Sequence, residues 1–177
     1  MPDGEPKAMR VIAGLVFMVG VVAIAFGIVL QYAGTWGVPY FRFSTDRGST
    51  CTNNFTGYVC EPLTLADVEF YADLDLPADT RVLSGTYRST HDYVLDARLR
   101  VPERSSATAL TSLNAAFGPC RSGRPAPLDN RGLTGLCVMA NDDAVTGSAE
   151  VDSRLYLVGT GVRRDGGRDI GLTIKSR

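Results

Sequence analysis

Histidine, lysine and tryptophan are scarce in this chain of 177 residues, and their scarcity excludes several kinds of site. His91 is the only histidine, and none of the four cysteines forms a C-x2-C pair, so the ligands of a typical zinc site are absent. The 18 basic and 19 acidic residues give a net charge of −1, without the basic surplus that binding to nucleic-acid phosphates requires. We therefore expect no metal cofactor and no nucleic-acid partner.

The motifs of common enzyme classes are also missing. The sequence contains no G-x-S-x-G, no phosphate-binding P-loop, no G-x-G-x-x-G and no H-E-x-x-H. Ser89, His91 and Asp92 are close neighbours in one short segment, whereas the partners of a catalytic triad converge from separate segments. The sequence therefore predicts a protein without enzymatic activity.

A hydrophobic run is the most distinctive feature that is present. Val11 to Leu30 contains no charged residue, and as a helix it would span about 30 Å, the thickness of a bilayer's hydrocarbon core. Lys7 and Arg10 precede the run, so the positive-inside rule places residues 1–10 in the cytoplasm and the later residues outside it. We expect a transmembrane helix over 11–32 that contacts the lipid bilayer through Val11 to Leu30. The aromatic residues that would anchor it at the interface are Tyr32, Trp36 and Tyr40.

A cleaved signal peptide is the alternative interpretation of this segment. The run is longer than a secretory hydrophobic region, and the candidate cleavage site near Gln31-Tyr32-Ala33 lacks a small residue at the −3 position. We therefore expect an uncleaved, single-pass anchor in the cell membrane. Residues 33–50 are rich in Gly, Ser, Thr and aromatics, and we interpret them as a linker.

Four cysteines lie beyond the hydrophobic run, in the part of the chain that we expect to be exported. An even number of cysteines in an exported domain predicts disulfides. The spacing favours Cys51–Cys60 and Cys120–Cys137, each closing a segment rich in turn-forming residues.

The segment 66–76 alternates between apolar residues and acids or tyrosine. This period of two predicts a strand with Asp67, Glu69, Asp73 and Asp75 on one face. A helix beginning at Thr64 is the alternative, with an apolar stripe through Leu63, Ala66, Phe70 and Leu74. The acidic face could pair with Arg98 and Arg100 of another strand, contact a basic partner, or bind a cation.

The remaining pattern predicts a domain over 51–177. Strands are expected at 81–89, 95–101, 136–140, 149–162 and 168–174, with one helix that begins near Ser105 or Ser106 and ends before Gly118-Pro119. Short loops between the strands favour an antiparallel sheet, so we predict an α+β fold of two layers: a mainly antiparallel sheet carrying one packed helix.

Three functions are compatible with these features. The first is a non-enzymatic interaction or accessory module in a bacterial cell envelope that binds another envelope or membrane protein. Its contact residues would be the acidic segment 67–75 or the arginines of a Pro/Gly-rich loop: Arg121, Arg124 and Arg131. The second is a small-ligand or cation sensor that uses the acidic segment. The third is an envelope hydrolase, which requires a carboxylate with a raised pKa inside a pocket.

Overall fold

A computed structural model describes residues 7–121, 124–141 and 154–176. It contains an N-terminal apolar helix, one antiparallel sheet of eight strands, and two further helices, which confirms the predicted α+β class. The helices are α1 (Lys7–Tyr32), α2 (Leu65–Ala72) and α3 (Ser106–Phe117). The strands are β1 (Arg42–Ser44), β2 (Thr50–Asn53), β3 (Tyr58–Cys60), β4 (Arg81–Ser89), β5 (Tyr93–Val101), β6 (Thr134–Ala140), β7 (Arg154–Val162) and β8 (Arg168–Ser176).

Helix α1 corresponds to the charge-free run. Its segment Met9–Tyr32 is long and apolar enough to cross a membrane, and none of it is buried against the rest of the protein. A helix that is hydrophobic all round and has no protein partner is typical of a membrane-spanning segment or a signal sequence. α1 is therefore a candidate membrane span, at the place where the sequence predicts one.

The segment between α1 and β2 is folded. Ala33 is buried, and the carbonyl oxygen of Gly34 accepts a hydrogen bond of 2.6 Å from the side-chain amide of Asn53. The Tyr40 backbone N–H donates to the Asn53 carbonyl at 2.8 Å. The expected linker 33–50 thus contains β1 and a turn that packs against β2. We call residues 33–41, together with Asn53, the joint.

The strands are ordered β1-β2-β3-β4-β5-β8-β7-β6, and every neighbouring pair is antiparallel. The register gives the sheet two distinct ends. Asn53, which belongs to the joint, pairs with Tyr58, and Tyr58 pairs with Ser89. We call this the α1 end. The opposite, free end holds the start of β4, the end of β5 and the β7–β8 hairpin, because Arg81 pairs with Arg100 and Val101 with Arg168.

Both shorter helices pack on the same face of the sheet. Alternate residues of β5 are buried, and Leu95 and Leu99 contact a core that also includes Val68 of α2 and Leu113 of α3. Asp96, Arg98 and Arg100 lie on the opposite face, as the period of two predicts. The sequence predicts one packed helix, whereas the structure has two.

Helix α3 has the predicted position. It buries Ala109, Leu113 and Phe117 and ends at Gly118, whose positive φ of 80° suits glycine. Ser105 precedes the helix but makes no side-chain capping hydrogen bond. Its hydroxyl instead donates to Asp79 at 2.9 Å.

The strand predicted for 66–76 is wrong, and the helix alternative is correct. Thr64 is the N-cap of α2: its hydroxyl oxygen accepts a hydrogen bond from the Asp67 backbone N–H at 3.2 Å. The helix ends at Asp73, which adopts the left-handed conformation with φ 53°. Val68 and Ala72, four residues apart, face the core, whereas Phe70 between them is exposed, so the alternating apolar residues do not share one buried face.

The second face of the sheet is partly covered by the segment that follows residue 124. Gly159 of β7 pairs with Gly171 of β8, and both lie beneath Pro127 and Leu128. A Cβ at position 171 would stand 2.5 Å from the Pro127 carbonyl oxygen, so only glycine permits this close approach. The remaining predicted strands are confirmed as β4, β6 and β8. The predicted strand 149–162 corresponds to β7, except that 149–153 lie outside the described residues.

Candidate functional site

A charged cleft lies at the free end of the sheet. Its volume is about 380 Å³. It is bounded by the start of β4, the end of β5 with residues 102–104, and the β7–β8 hairpin. Its lining contains both signs of charge in almost equal number: Arg81, Arg100, Arg104 and Arg163, with Asp79, Glu103 and Asp165.

Asp79 and Arg104 form one wall of the cleft. The Arg104 Nε donates to Asp79 Oδ2 at 2.6 Å, and the Ser105 hydroxyl donates to the same oxygen. The hydrogen bond from Arg104, aided by that from Ser105, holds the pKa of Asp79 below its usual value. This carboxylate is therefore ionised at neutral pH and acts as an acceptor.

A second group of charges joins β5, β7 and β8. Arg100 Nε donates to Asp169 Oδ1 at 3.0 Å, and Arg163 forms an ion pair with Asp165 at 2.9 Å. Arg163 also lies 3.9 Å from Asp169. The hydrogen bond that Arg100 donates to Asp169 raises the pKa of Arg100. Arg100 thus pairs with the neighbouring strand β8, and not with the acidic segment 67–75 as the sequence suggested.

Arg168 connects α3 to the sheet at the same end. Its side chain is buried, its Nε donates to the Ser106 carbonyl oxygen at 3.2 Å, and its Nη1 donates to the Thr160 hydroxyl at 3.3 Å. Burial lowers the pKa of this guanidinium. The contacts connect the first residue of α3 to β7 and β8.

Most of the side chains that line the cleft are arginines and carboxylates. The lining includes no serine, threonine, cysteine or histidine, and its carboxylates are Asp79, Glu103 and Asp165. Guanidinium and carboxylate groups can bind complementary charges on another molecule. Arg81, within the part of the chain that the structure describes, forms no ion pair, and its side chain is exposed.

The four acids of the segment 67–75 do not share a face. Asp67 is fully buried at the N-terminus of α2, and Glu69 accepts a hydrogen bond from the Leu76 backbone N–H at 2.8 Å. Asp73 lies 3.7 Å from Arg154, and Asp75 is exposed. The proposed common acidic surface therefore does not form, because the segment is a helix followed by a turn.

Asp67 is held by hydrogen bonds from the preceding loop. The Thr45 hydroxyl donates to its Oδ2 at 2.6 Å and the Ser49 backbone N–H at 3.1 Å, while the Thr64 hydroxyl lies 3.0 Å from the same oxygen. Burial raises the pKa of Asp67, but the hydrogen bonds from Ser49, Thr45 and Thr64 outweigh it, and the net pKa is lowered. The carboxylate connects the 45–49 loop to α2.

Within the described residues, no three side chains of His, Cys, Asp or Glu come close enough together to hold a metal ion. The tyrosines near α2 pack on one another: the rings of Tyr71 and Tyr87 are stacked at 3.7 Å between centroids. Burial, together with neighbouring Tyr58 and Asp67, raises the pKa of Tyr71. This cluster belongs to the core that α2 forms with the sheet.

Both favoured disulfides are present, and they connect neighbouring segments of backbone. Cys51–Cys60 joins β2 to β3 at directly paired positions. Cys120–Cys137 attaches the end of α3 to β6, where the Arg121 backbone N–H also donates to the Val138 carbonyl at 2.7 Å.

The three arginines of the Pro/Gly-rich loop differ in their surroundings. Arg121 is part of a β-bridge, Arg124 is partly buried, and Arg131 is almost fully exposed beside Asp129. The charged cleft itself is a site that the sequence analysis missed. Its signal was weak: Arg100 on the polar face of β5, and Arg163-Arg164-Asp165 in a hairpin.

Comparison of the chain with models of protein families, with curated proteins and with solved structures finds no match.

Proposed function

We propose that this protein is a non-enzymatic, single-pass membrane protein whose C-terminal domain lies outside the cytoplasm and binds another envelope or membrane protein. The observation that supports this function best is the charged cleft at the free end of the sheet, opposite α1. A domain attached to a membrane at one end presents its opposite end to partners.

The proposed orientation rests on two features. Lys7 and Arg10 flank the N-terminal side of the candidate span, which favours a cytoplasmic N-terminus. The two disulfides suit an oxidising compartment. Protease added outside intact spheroplasts should therefore digest the domain but leave the N-terminal residues protected. Digestion only after lysis would contradict this orientation.

The cleft is proposed to bind a partner surface that carries both acidic and basic groups. Its existing ion pairs hold the guanidinium and carboxylate groups in fixed positions, so little side-chain freedom remains to be lost on binding. Arg81 offers a guanidinium without a carboxylate partner among the described residues. The low pKa of Asp79 is the opposite of what a hydrolase acid requires, so the cleft does not favour the hydrolase alternative.

Site-specific crosslinking in intact membranes tests this proposal. A photoreactive amino acid is placed at Arg81 or Glu103 in the cleft and, as controls, at the exposed positions Asp75 and Asn114. We expect one partner of constant stoichiometry to be crosslinked from the cleft and not from the controls. Crosslinks from the controls alone would contradict the cleft as the interface, and crosslinks from Asp75 alone would favour the acidic segment first expected from the sequence. Recovery of the chain alone would contradict a stable partner.

A further inference from the structure

Exposed apolar side chains of the domain are concentrated at the α1 end. Seven large apolar residues beyond α1 are exposed among the described residues. Four of them lie in or beside the joint: Trp36, Val38, Tyr40 and Phe55. A cluster of exposed apolar side chains at one end of a domain marks a surface that is covered by a membrane or by another molecule.

Phe55 is the most exposed of these residues, at 78% of its surface, and it lies at the tip of the β2–β3 hairpin. Its ring packs edge-on against Tyr40, with 5.5 Å between centroids. Tyr32 and Trp36, at the end of α1, also stack on each other at 6.0 Å. The aromatic surface thus begins on the candidate span and continues onto the sheet.

The polar backbone of the hairpin tip is largely satisfied internally. The Asn54 backbone N–H donates to the Gly57 carbonyl at 2.8 Å, and the Thr56 backbone N–H donates to the Asn54 side-chain oxygen at 2.9 Å. These bonds reduce the cost of moving the tip out of bulk water, since fewer polar groups lose their partners.

The joint holds the hairpin close to α1. Asn53, two residues before Phe55, donates to Gly34 and accepts from Tyr40. A Cβ on Gly34 would overlap the Arg42 carbonyl oxygen, so the backbone there is in direct contact with the start of β1. If α1 crosses a bilayer, Phe55 must lie near the level at which the helix leaves it.

We infer that the tip of the β2–β3 hairpin, through Phe55, inserts into the interfacial layer of the same bilayer that α1 crosses. The bound surface is the lipid headgroup and upper acyl region, where aromatic side chains are favoured. The domain then has two contacts with the membrane, one from α1 and one from the hairpin. This inference rests on the proposed membrane anchor.

Fluorescence in reconstituted vesicles tests the inference with the full chain. Trp36 is the only tryptophan, so Trp36→Phe removes the natural signal and allows a single reporter at each chosen position. Phe55→Trp reports on the hairpin tip, Phe17→Trp on the middle of α1, and Phe70→Trp on an exposed aromatic position of α2. The vesicles contain phosphatidylcholine and phosphatidylglycerol, with bromine near the headgroup or deep in the acyl chains.

We expect Phe55→Trp to lose most of its emission with bromine near the headgroup and less with deep bromine. Phe17→Trp should respond most to deep bromine, and Phe70→Trp should keep its emission with both. An unquenched Phe55→Trp beside a quenched Phe17→Trp would overturn the inference while leaving the anchor intact. An unquenched Phe17→Trp would overturn the anchor itself. If circular dichroism shows that Phe55→Trp is misfolded, Tyr40→Trp allows the same quenching measurement at the neighbouring ring.

Discussion

At the scale of single residues, Asp67 is a buried carboxylate that stabilises the fold through its hydrogen bonds to the 45–49 loop. Asp67→Asn keeps the shape but removes the charge, and hydrogen bonds to charged groups contribute more than neutral ones. We expect the free energy of unfolding to fall by about 2 kcal/mol. Thermal or denaturant unfolding of the full chain in detergent measures this loss. The exposed Asp75→Asn is the matched control and should change stability by less than about 0.5 kcal/mol.

The same residue predicts a pH dependence. The pKa of Asp67 is lower in the folded protein than in the unfolded chain, where it is about 3.9. Its stabilising contribution is therefore complete above pH about 4 and is lost as the pH falls through the lower, folded pKa. The difference in stability between the natural chain and Asp67→Asn should shrink at acid pH. A difference that is constant down to acid pH would show that the charge is not the cause.

Gly171 is a second residue for which one contact, with Pro127, determines the effect of a substitution on stability. Gly171→Ala places a Cβ against the Pro127 carbonyl, and forcing extra volume into a packed site typically costs about 1–3 kcal/mol. We expect the segment around Pro127 to leave the sheet and trypsin to cut faster after Arg131, whereas the Arg124–Pro125 bond is not a trypsin site. Thr173→Ala, on the same strand, removes only an exposed hydrogen bond to Asp96 and is the control. Equal cleavage rates in the two variants would contradict the role assigned to Gly171.

At the scale of elements, β4 to β8 and α3 were predicted from their apolar periods, whereas β1, β2 and β3 have only three or four residues each, too few to show a period. Leu95, Leu99 and Val101 alternate with charged residues, and Ala109, Leu113 and Phe117 recur at helical spacing. The turn-forming residues beside each pattern indicate the same elements as the apolar period does. The local sequence preferences therefore agree with the fold.

Helix α2 was mispredicted because a short segment can satisfy two periods at once. Only Val68 and Ala72 are deeply buried hydrophobic residues in its eight positions, too few for the spacing to decide between a helix and a strand. A local signal was available: Thr64 followed by Asp67 has the spacing of a capping box. The acidic site predicted from the strand depended on that choice and was lost with it.

The charged cleft could not be predicted, because its residues meet only through strand order. Asp79, Arg100 and Arg163 are far apart in sequence and come together because β8 pairs with both β5 and β7. The apolar period of a sequence indicates the face of the sheet on which a residue lies. It does not indicate which strands are neighbours in the sheet.

The Cys120–Cys137 disulfide is an element-scale constraint that can be tested directly. It closes a segment with a sequence separation of 17. Replacing both cysteines by alanine should lower the free energy of unfolding by about 3 kcal/mol, since the unfolded chain regains the entropy of an open loop. Chemical denaturation measures the loss. Because a reductant would also open Cys51–Cys60, the control is a variant with alanine at positions 51 and 60, measured with and without a reductant, in which only the Cys120–Cys137 bond changes. A stability equal to that of the oxidised protein would show that the loop is held by its packing alone.

At the scale of the whole molecule, the joint determines how the domain is attached to α1. Asn53→Ala removes the hydrogen bond to Gly34 and leaves that carbonyl oxygen without this donor. We expect the joint to loosen, so the fluorescence anisotropy of Trp36 should fall while the circular dichroism of the domain is retained. Thr52→Ala, one position earlier on β2, is the control. Unchanged anisotropy in Asn53→Ala would show that other contacts suffice to hold the joint.

The folded joint also restricts the positions at which the cleft can meet the partner that we propose. A flexible tether lets a binding site explore a hemisphere, and its effective concentration at a membrane-bound target falls as the tether lengthens. Here β4, β5, β7 and β8 are each nine residues long, about 30 Å at the rise of a strand, and they separate the cleft from the α1 end of the sheet, which the folded joint connects to α1. If α1 spans the bilayer, the cleft stays within a narrow range of distances from the membrane surface. The protein and a membrane-bound partner then meet by diffusion in two dimensions. Only a partner whose binding surface lies at that distance from the membrane can contact the cleft.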